Sequence, residues 1–153
     1  MRWACVYDLH EDESTVKAIQ DGTLSGPNEG LQADPALLGT DEWWNAIEDG
    51  RLPVHVDEGV ISRVYWAGMG DWPEFALVTD EGRDVTWTRQ GDITRYVEGL
   101  RCRVRYVIQR FKEGSLVANA GLAEHRLPLT VEIEESDRRS SPIAPGPGGV
   151  AVS

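Results

Sequence analysis

Between Gly59 and Lys112, apolar and polar side chains alternate with a period of two, the pattern of strands whose two faces meet different surroundings. Val60, Ser62, Val64 and Trp66 interleave with Ile61, Arg63, Tyr65 and Ala67. Phe75, Leu77 and Thr79 interleave with Glu74, Ala76 and Val78. Asp80-Glu81-Gly82 has hairpin chemistry and leads to Val85 and Trp87, set against Thr86 and Thr88. A single helical turn is predicted over Ile93–Glu98, followed by the longest strand, Leu100–Phe111. A last, half-exposed strand follows from Leu129, Val131 and Ile133 alternating with Thr130, Glu132 and Glu134. Upstream, Trp3, Cys5, Tyr7 and Leu9 against Ala4, Val6 and Asp8 predict a short strand over Arg2–Leu9.

Apart from that single turn, the helix signals fall in the first third. Ser14 is an N-cap candidate for a brief helix over Thr15–Asp21, which Gly22 ends. Thr40 is a second, with Asp41 and Glu42 in the first turn where the helix dipole favours carboxylates. Trp43, Trp44 and Ile47 then form an apolar stripe, and Gly50 ends the helix, which is expected to cover an open face or end of the sheet. Ser25–Gly30 is loop by composition, and Glu113–Arg126 has no clear period.

On the longest strand Arg101, Arg103 and Arg105 share one face, and Cys102, Val104 and Tyr106 the other. After Tyr106 the parity drifts, which predicts a bulge or bend within Val107–Gln109. The expected core is Val64, Trp66, Phe75, Leu77, Val85, Trp87, Cys102, Val104 and Tyr106. This strand layout, from Gly59 to Glu134, resembles the oligonucleotide/oligosaccharide-binding fold, with one departure: a single turn stands where that fold has a helix between its third and fourth strands. An open five-stranded barrel of another connectivity is the alternative. The fold class expected is therefore mainly β: a small five-stranded half-open barrel with an N-terminal strand and one or two short helices. One domain is expected over 1–135, with an acidic segment, 1–58, packed on a barrel, 59–134. Ser136–Ser153, rich in Ser, Pro and Gly, reads as a flexible tail.

Charge sharpens this picture. The net −11 is concentrated at the start: residues 1–58 hold three basic and thirteen acidic side chains. Residues 59–112 hold nine basic and seven acidic, and Arg95–Lys112 alone has six cations against Glu98. An acidic total disfavours general binding to phosphate backbones and suits a basic protein partner. Neither a secretory leader nor a membrane span is evident, so a reduced, cytoplasmic setting with no membrane partner is expected.

Catalytic and cofactor signals are weak. Cys5 and Cys102 match no zinc or redox spacing, and Cys102 shares a face with Val104 and Tyr106, which suits an inert buried thiol better than a nucleophile. Asp8/His10 and His55/Asp57 repeat a two-residue spacing from which a metal site is conceivable, but solvated side chains near element ends explain them as well. His125 has no partner legible in sequence. There is no Gly-x-Ser-x-Gly elbow, phosphate-cradling loop or His-Glu-x-x-His. No cofactor or metal is expected, and a small metal-dependent enzyme ranks last among the readings.

Six tryptophans carry more weight. Trp72 lies in the loop Ala67–Pro73, where a core role is not automatic, and Trp43 and Trp44 are adjacent, so about 100° of helix separates them. The leading reading is a non-enzymatic module that binds another protein, as an immunity, adaptor or regulatory protein for a basic partner. Its candidate contact residues are Trp72, Trp43, Arg101, Arg103, Arg105, Asp41, Glu42, Glu48 and Asp49. The alternative is single-stranded nucleic-acid binding on the arginine face. Three adjacent arginines repel, however, and Glu81, Asp84, Glu132 or Glu134, or the acidic N-terminal segment, are candidates to neutralise them, so the arginines are expected to be paired within the protein.

Overall fold

The computed structural model describes residues 2–26, 30–33, 35–112 and 124–135. Six strands, β1 (Trp3–Asp8), β2 (His55–Ala67), β3 (Trp72–Thr79), β4 (Asp84–Thr88), β5 (Arg101–Arg110) and β6 (Glu124–Glu134), form one antiparallel sheet. Its order is β1-β6-β5-β2-β3-β4, with β1 and β4 at its edges among the described residues. The sheet is not closed, which is compatible with a half-open barrel to which the N-terminal strand adds a sixth member. Among the described residues, two α-helices complete the expected class: α1 (Glu13–Leu24) and α2 (Asp41–Glu48). No helix among the described residues is long and apolar enough to cross a membrane. The tail from Ser136 and most of the ambiguous Glu113–Arg126 stretch lie outside the described residues.

The chain divides into two compact units that interleave in sequence. Among the described residues the first draws on 2–6, 58–103 and 132–135, the second on 7–26, 30–33, 35–57, 104–112 and 124–131.

In the first unit the β2-β3-β4 meander carries the core in cross-strand rows. Ile61 faces Leu77, which faces Val85; Val64 faces Phe75, which faces Trp87. Ile61, Phe75, Leu77 and Trp87 are buried, and Tyr96 packs its ring 4.9 Å from Phe75. Both rows lie on one side only because the register of β2 shifts between Ile61 and Arg63, inserting one residue and exchanging the faces. Gly59 is required by a close approach: a Cβ there would stand 1.9 Å from the Val78 carbonyl oxygen.

Trp66 departs from the expected core. It keeps the right face, opposite Pro73, but lies beyond the end of the packed rows and is 52% exposed, its ring covered by the Arg89 guanidinium at 5.0 Å. Val64, Val85 and Tyr106 are only half-buried. The parity change predicted within Val107–Gln109 falls slightly earlier: Cys102 and Val104 are buried, then Val107 and Gln109, so the faces exchange at Arg105–Tyr106.

The second unit is built around Trp43, which is fully buried and donates its indole N–H to Oε1 of buried Gln109 at 2.9 Å. Leu9, Leu31, Leu38, Ala46, Leu52, Val107, Leu127 and Leu129 are buried in the same unit. Asp12, rather than Ser14, caps α1: its Oδ1 accepts from the Thr15 N–H at 3.3 Å and its Oδ2 from the Tyr7 hydroxyl at 2.8 Å. Thr40 caps α2 as expected, accepting from the Trp43 N–H at 3.3 Å. At the other end of α1, the Lys112 ammonium donates to the carbonyls of Thr23 and Gly26, a cation placed where the helix dipole favours one.

Candidate partner-binding surfaces

Helix α2 turns Trp43 and Ala46 inward, and this fixes what faces outward: Asp41, Glu42, Asn45, Glu48 and Asp49 are all exposed. Asp49 holds Arg51 at 2.9 Å, and the Arg51 backbone N–H and guanidinium hold the Asp49 carboxyl below its usual range. No cation among the described residues lies within ion-pair reach of Asp41, Glu42 or Glu48. The helix therefore presents uncompensated negative charge on a rigid element.

A groove of about 380 Å³ lies beside this helix, lined by Leu9 and His10, by Glu13, Val16, Lys17, Gln20 and Asp21 of α1, and by Gly39 and Trp44. Trp44 meets Trp43 edge-on at 4.8 Å and carries the His10 ring stacked at 3.6 Å, 15° from parallel. Gln20 donates to the Leu38 carbonyl at 2.8 Å, tying α1 to the segment that leads into α2.

In the first unit the arginine face is neutralised from within. Arg101 reaches Asp80 at 2.8 Å and Glu58 at 3.2 Å; Arg103 reaches Glu58 and Glu132, each at 3.1 Å, and lies 4.2 Å over the Trp3 ring. The Glu134 carboxylate accepts the Arg101 backbone N–H at 2.8 Å. Hydrogen bonds from Arg101 hold the Asp80 carboxyl down, and Asp80 and Glu58 raise the Arg101 guanidinium further. Of the carboxylates anticipated from sequence, Glu132 pairs with an arginine of this face; Glu81 instead reaches Arg83, at 3.8 Å. The principal partner, Glu58, is the last residue of the acidic segment 1–58, which the sequence also offered as a source of carboxylates. Arg105, also half-buried, belongs to the second unit and has an interaction of its own.

Of the tryptophans named from sequence, Trp72 is 54% exposed, with its indole N–H on Thr88 Oγ1 at 3.1 Å. Trp43, by contrast, is 0% exposed, because its helix docks through it, and so it offers nothing to a partner. Its neighbour Trp44 takes the outer position. The sequence placed the two about 100° apart; which one faces inward depends on the Gln109 amide.

The remaining chemistry candidates have structural duties. Asp8 accepts the His10 backbone N–H at 2.9 Å, capping a short 3-10 turn at Leu9–Glu11. His55 stacks on Tyr106 at 5.4 Å, and buried Asp57 lies 3.9 Å from Arg126 and 3.5 Å from the Tyr106 hydroxyl. Among the described residues no three His, Cys, Asp or Glu side chains converge to hold a metal. His125 sits on β6 against Phe111, and burial, then Arg126, lowers its pKa. Cys102 is fully buried, and burial pushes its thiol up to about 12, far from a reactive thiolate.

Residues 3–134 match the model of the family described as Immunity protein RhsI2. No curated protein matches the chain.

Proposed function

This chain belongs to the Immunity protein RhsI2 family, and on that premise we propose that it works without catalysis, by binding and neutralising a cognate Rhs toxin. The docking surface is the outer face of α2, and the toxin meets it with a basic surface. One observation carries this reading. Asp41, Glu42 and Glu48 stand exposed on a helix anchored by buried Trp43, with no cation among the described residues beside them, whereas Arg101 and Arg103 are already engaged by carboxylates of their own unit. Charges left open at a surface steer a partner of opposite sign and speed its encounter. The paired arginines offer little to phosphates, so single-stranded nucleic acid is the less favoured partner.

The test measures association of the purified protein with the toxic domain of the cognate Rhs toxin across a salt series. Neutralising Asp41, Glu42, Glu48 and Asp49 together slows association by roughly tenfold or more at low salt and flattens its salt dependence. A wild-type complex whose association rate is indifferent to salt and to these four changes refutes the acidic docking surface. Failure to bind the toxin, or to protect cells expressing it, refutes the function itself.

A further inference from the structure

We propose that the groove between α1 and Trp44 is the specificity pocket of this surface and receives an arginine side chain of the toxin. The proposal rests on the reading of α2 as the docking face and says what anchors the complex once charge has steered it there.

The groove has the parts a guanidinium needs. Leu9 and Val16 give it apolar lining for a methylene stem, and His10 and Trp44, each ring covering one face of the other, add an aromatic stack to its wall. Aromatic rings attract a planar cation through their π-systems, and arginine stacks on them more readily than lysine. The carboxylate is supplied by Glu13, an exposed side chain on the groove lining. Lys17 lies one turn from both Glu13 and Asp21, but its ammonium is committed to Asp21 at 3.1 Å. Glu13 is thereby left without a cation among the described residues. A carboxylate beside an aromatic wall fits the bidentate, face-stacked geometry of arginine.

Charge around the groove selects the same occupant. On α2, Asp41 precedes Trp44 by three residues and Glu48 follows it by four, so one acidic side chain flanks it on each side of the helix surface. Both are exposed. An anionic ligand would be repelled by Glu13 on the groove lining and by Asp41 and Glu48 beside Trp44 on α2, whereas a guanidinium is attracted by all three. The depth also matters, since Trp44 is half-buried and backed edge-on by Trp43. Aromatic and arginine side chains seated in such pockets, ringed by contacts that exclude water, dominate the energetics of many protein interfaces.

The test follows dissociation of the full-length protein from the toxic domain. Glu13→Gln, on an exposed position, raises Kd by roughly 30-fold, chiefly through faster dissociation; Glu13→Arg, which puts a like charge in the groove, raises it further. Trp44→Leu has the same direction, and Glu13→Gln keeps the test valid should Trp44→Leu fail to fold. An Arg→Ala scan of the toxin then identifies the occupant. One arginine loses most of its effect when the partner already carries Glu13→Gln, which is the coupling expected of residues in contact. Wild-type dissociation rates for both Glu13 variants, with association still slowed by neutralising α2, overturn the pocket and leave the docking face standing. Coupling of Glu13 to a toxin residue other than arginine overturns the assigned occupant. Faster dissociation with no effect of neutralising α2 keeps the pocket and removes the steering role of that helix.

Discussion

Glu58→Gln tests whether the arginine face is held down from within. The Glu58 carboxylate spans two guanidiniums, Oε2 to Arg101 at 3.2 Å and Oε1 to Arg103 at 3.1 Å. The side chains are 34%, 27% and 20% exposed, between the surface limit, where a pair is worth about 0–1 kcal/mol, and the desolvated one, where a bond to a charged group contributes about 1.5–3 kcal/mol. About 1 kcal/mol for each bond is a fair middle value, and a glutamine keeps the shape but turns its NH2 toward one of the two donors. The charge lost matters as well, because Arg101 and Arg103 are alternate residues on one strand face, about 7 Å apart. Their repulsion is about 0.6 kcal/mol at water's dielectric constant and about 2.4 kcal/mol at an effective value of 20. Asp80 and Glu132 remain and absorb part of it. The expected loss is about 2 kcal/mol, or roughly 4–8 °C in Tm for a chain of this size. Thermal unfolding followed by circular dichroism reads it directly. The deficit shrinks as salt rises from 0.01 to 1 M and the screening length falls from about 30 to about 3 Å. Glu81→Gln is the control, since its contact with Arg83 is 3.8 Å long and exposed, and its Tm stays unchanged. A Glu58→Gln protein that melts with the wild type at low salt refutes the claim that these arginines depend on internal carboxylates.

Asp12→Ala removes the α1 cap and costs about 1–2 kcal/mol at pH 7 in urea unfolding. Burial raises the Asp12 pKa, but hydrogen bonds from Tyr7, Thr15 and Ser14 outweigh it and hold the carboxyl below its ordinary value. A carboxylate depressed in the folded state contributes fully above its unfolded pKa and is lost as pH falls through the folded one, so the gap to wild type must narrow in acid; a gap that widens there refutes the cap. Trp87→Ala costs about 3–5 kcal/mol, whereas Trp66→Ala costs under about 1 kcal/mol by the same assay, and equal losses would contradict the exposure of Trp66 beyond the end of the packed rows. With iodoacetamide at pH 8 the native protein takes up one label, on exposed Cys5, while Cys102 reacts only after unfolding; two rapid labels would contradict its burial. A labelled single-stranded 20-mer shows no tight binding at low salt, and tight binding abolished by Arg103→Glu would restore the nucleic-acid reading.

Much of the fold was legible because strands with one buried face write themselves in period two. β3, β4 and α2 fall within two residues of their expected bounds, as do β1 and β5. What alternation cannot reveal is an inserted residue. In β2 the register shift after Ile61 moves the core from Ile61 to Val64, so extending one parity along the strand left Ile61 out, whereas Trp66 keeps that parity and is exposed because it lies beyond the end of the packed rows. The start of β2 at His55 and of β6 at Glu124 was obscured by charged and polar residues, for which cross-strand pairing overrides local propensity. At α1, three carboxylates in a row made the cap ambiguous, and the Tyr7 hydroxyl, a tertiary partner, favours Asp12.

The candidate site was half legible, for a reason that also bears on how the surface works. Net charge and helix phase placed Asp41, Glu42 and Glu48 outside without any knowledge of what lay inside. The groove needed three separate segments, the turn at Leu9–His10, α1 and Trp44, and no pattern within one segment records that the others arrive beside it. The same division separates two energetic roles. Exposed carboxylates act over about a screening length, tolerate imprecise placement and set the rate of encounter. An aromatic wall with one carboxylate acts only in contact, so it needs the fixed geometry that Trp43, Gln109 and the Gln20–Leu38 bond supply. In the proposed docking mode, changes that alter the charge of α2 therefore retune how fast a partner arrives. In the same mode, changes that move Trp44, even from the buried side through Gln109, retune which partner stays.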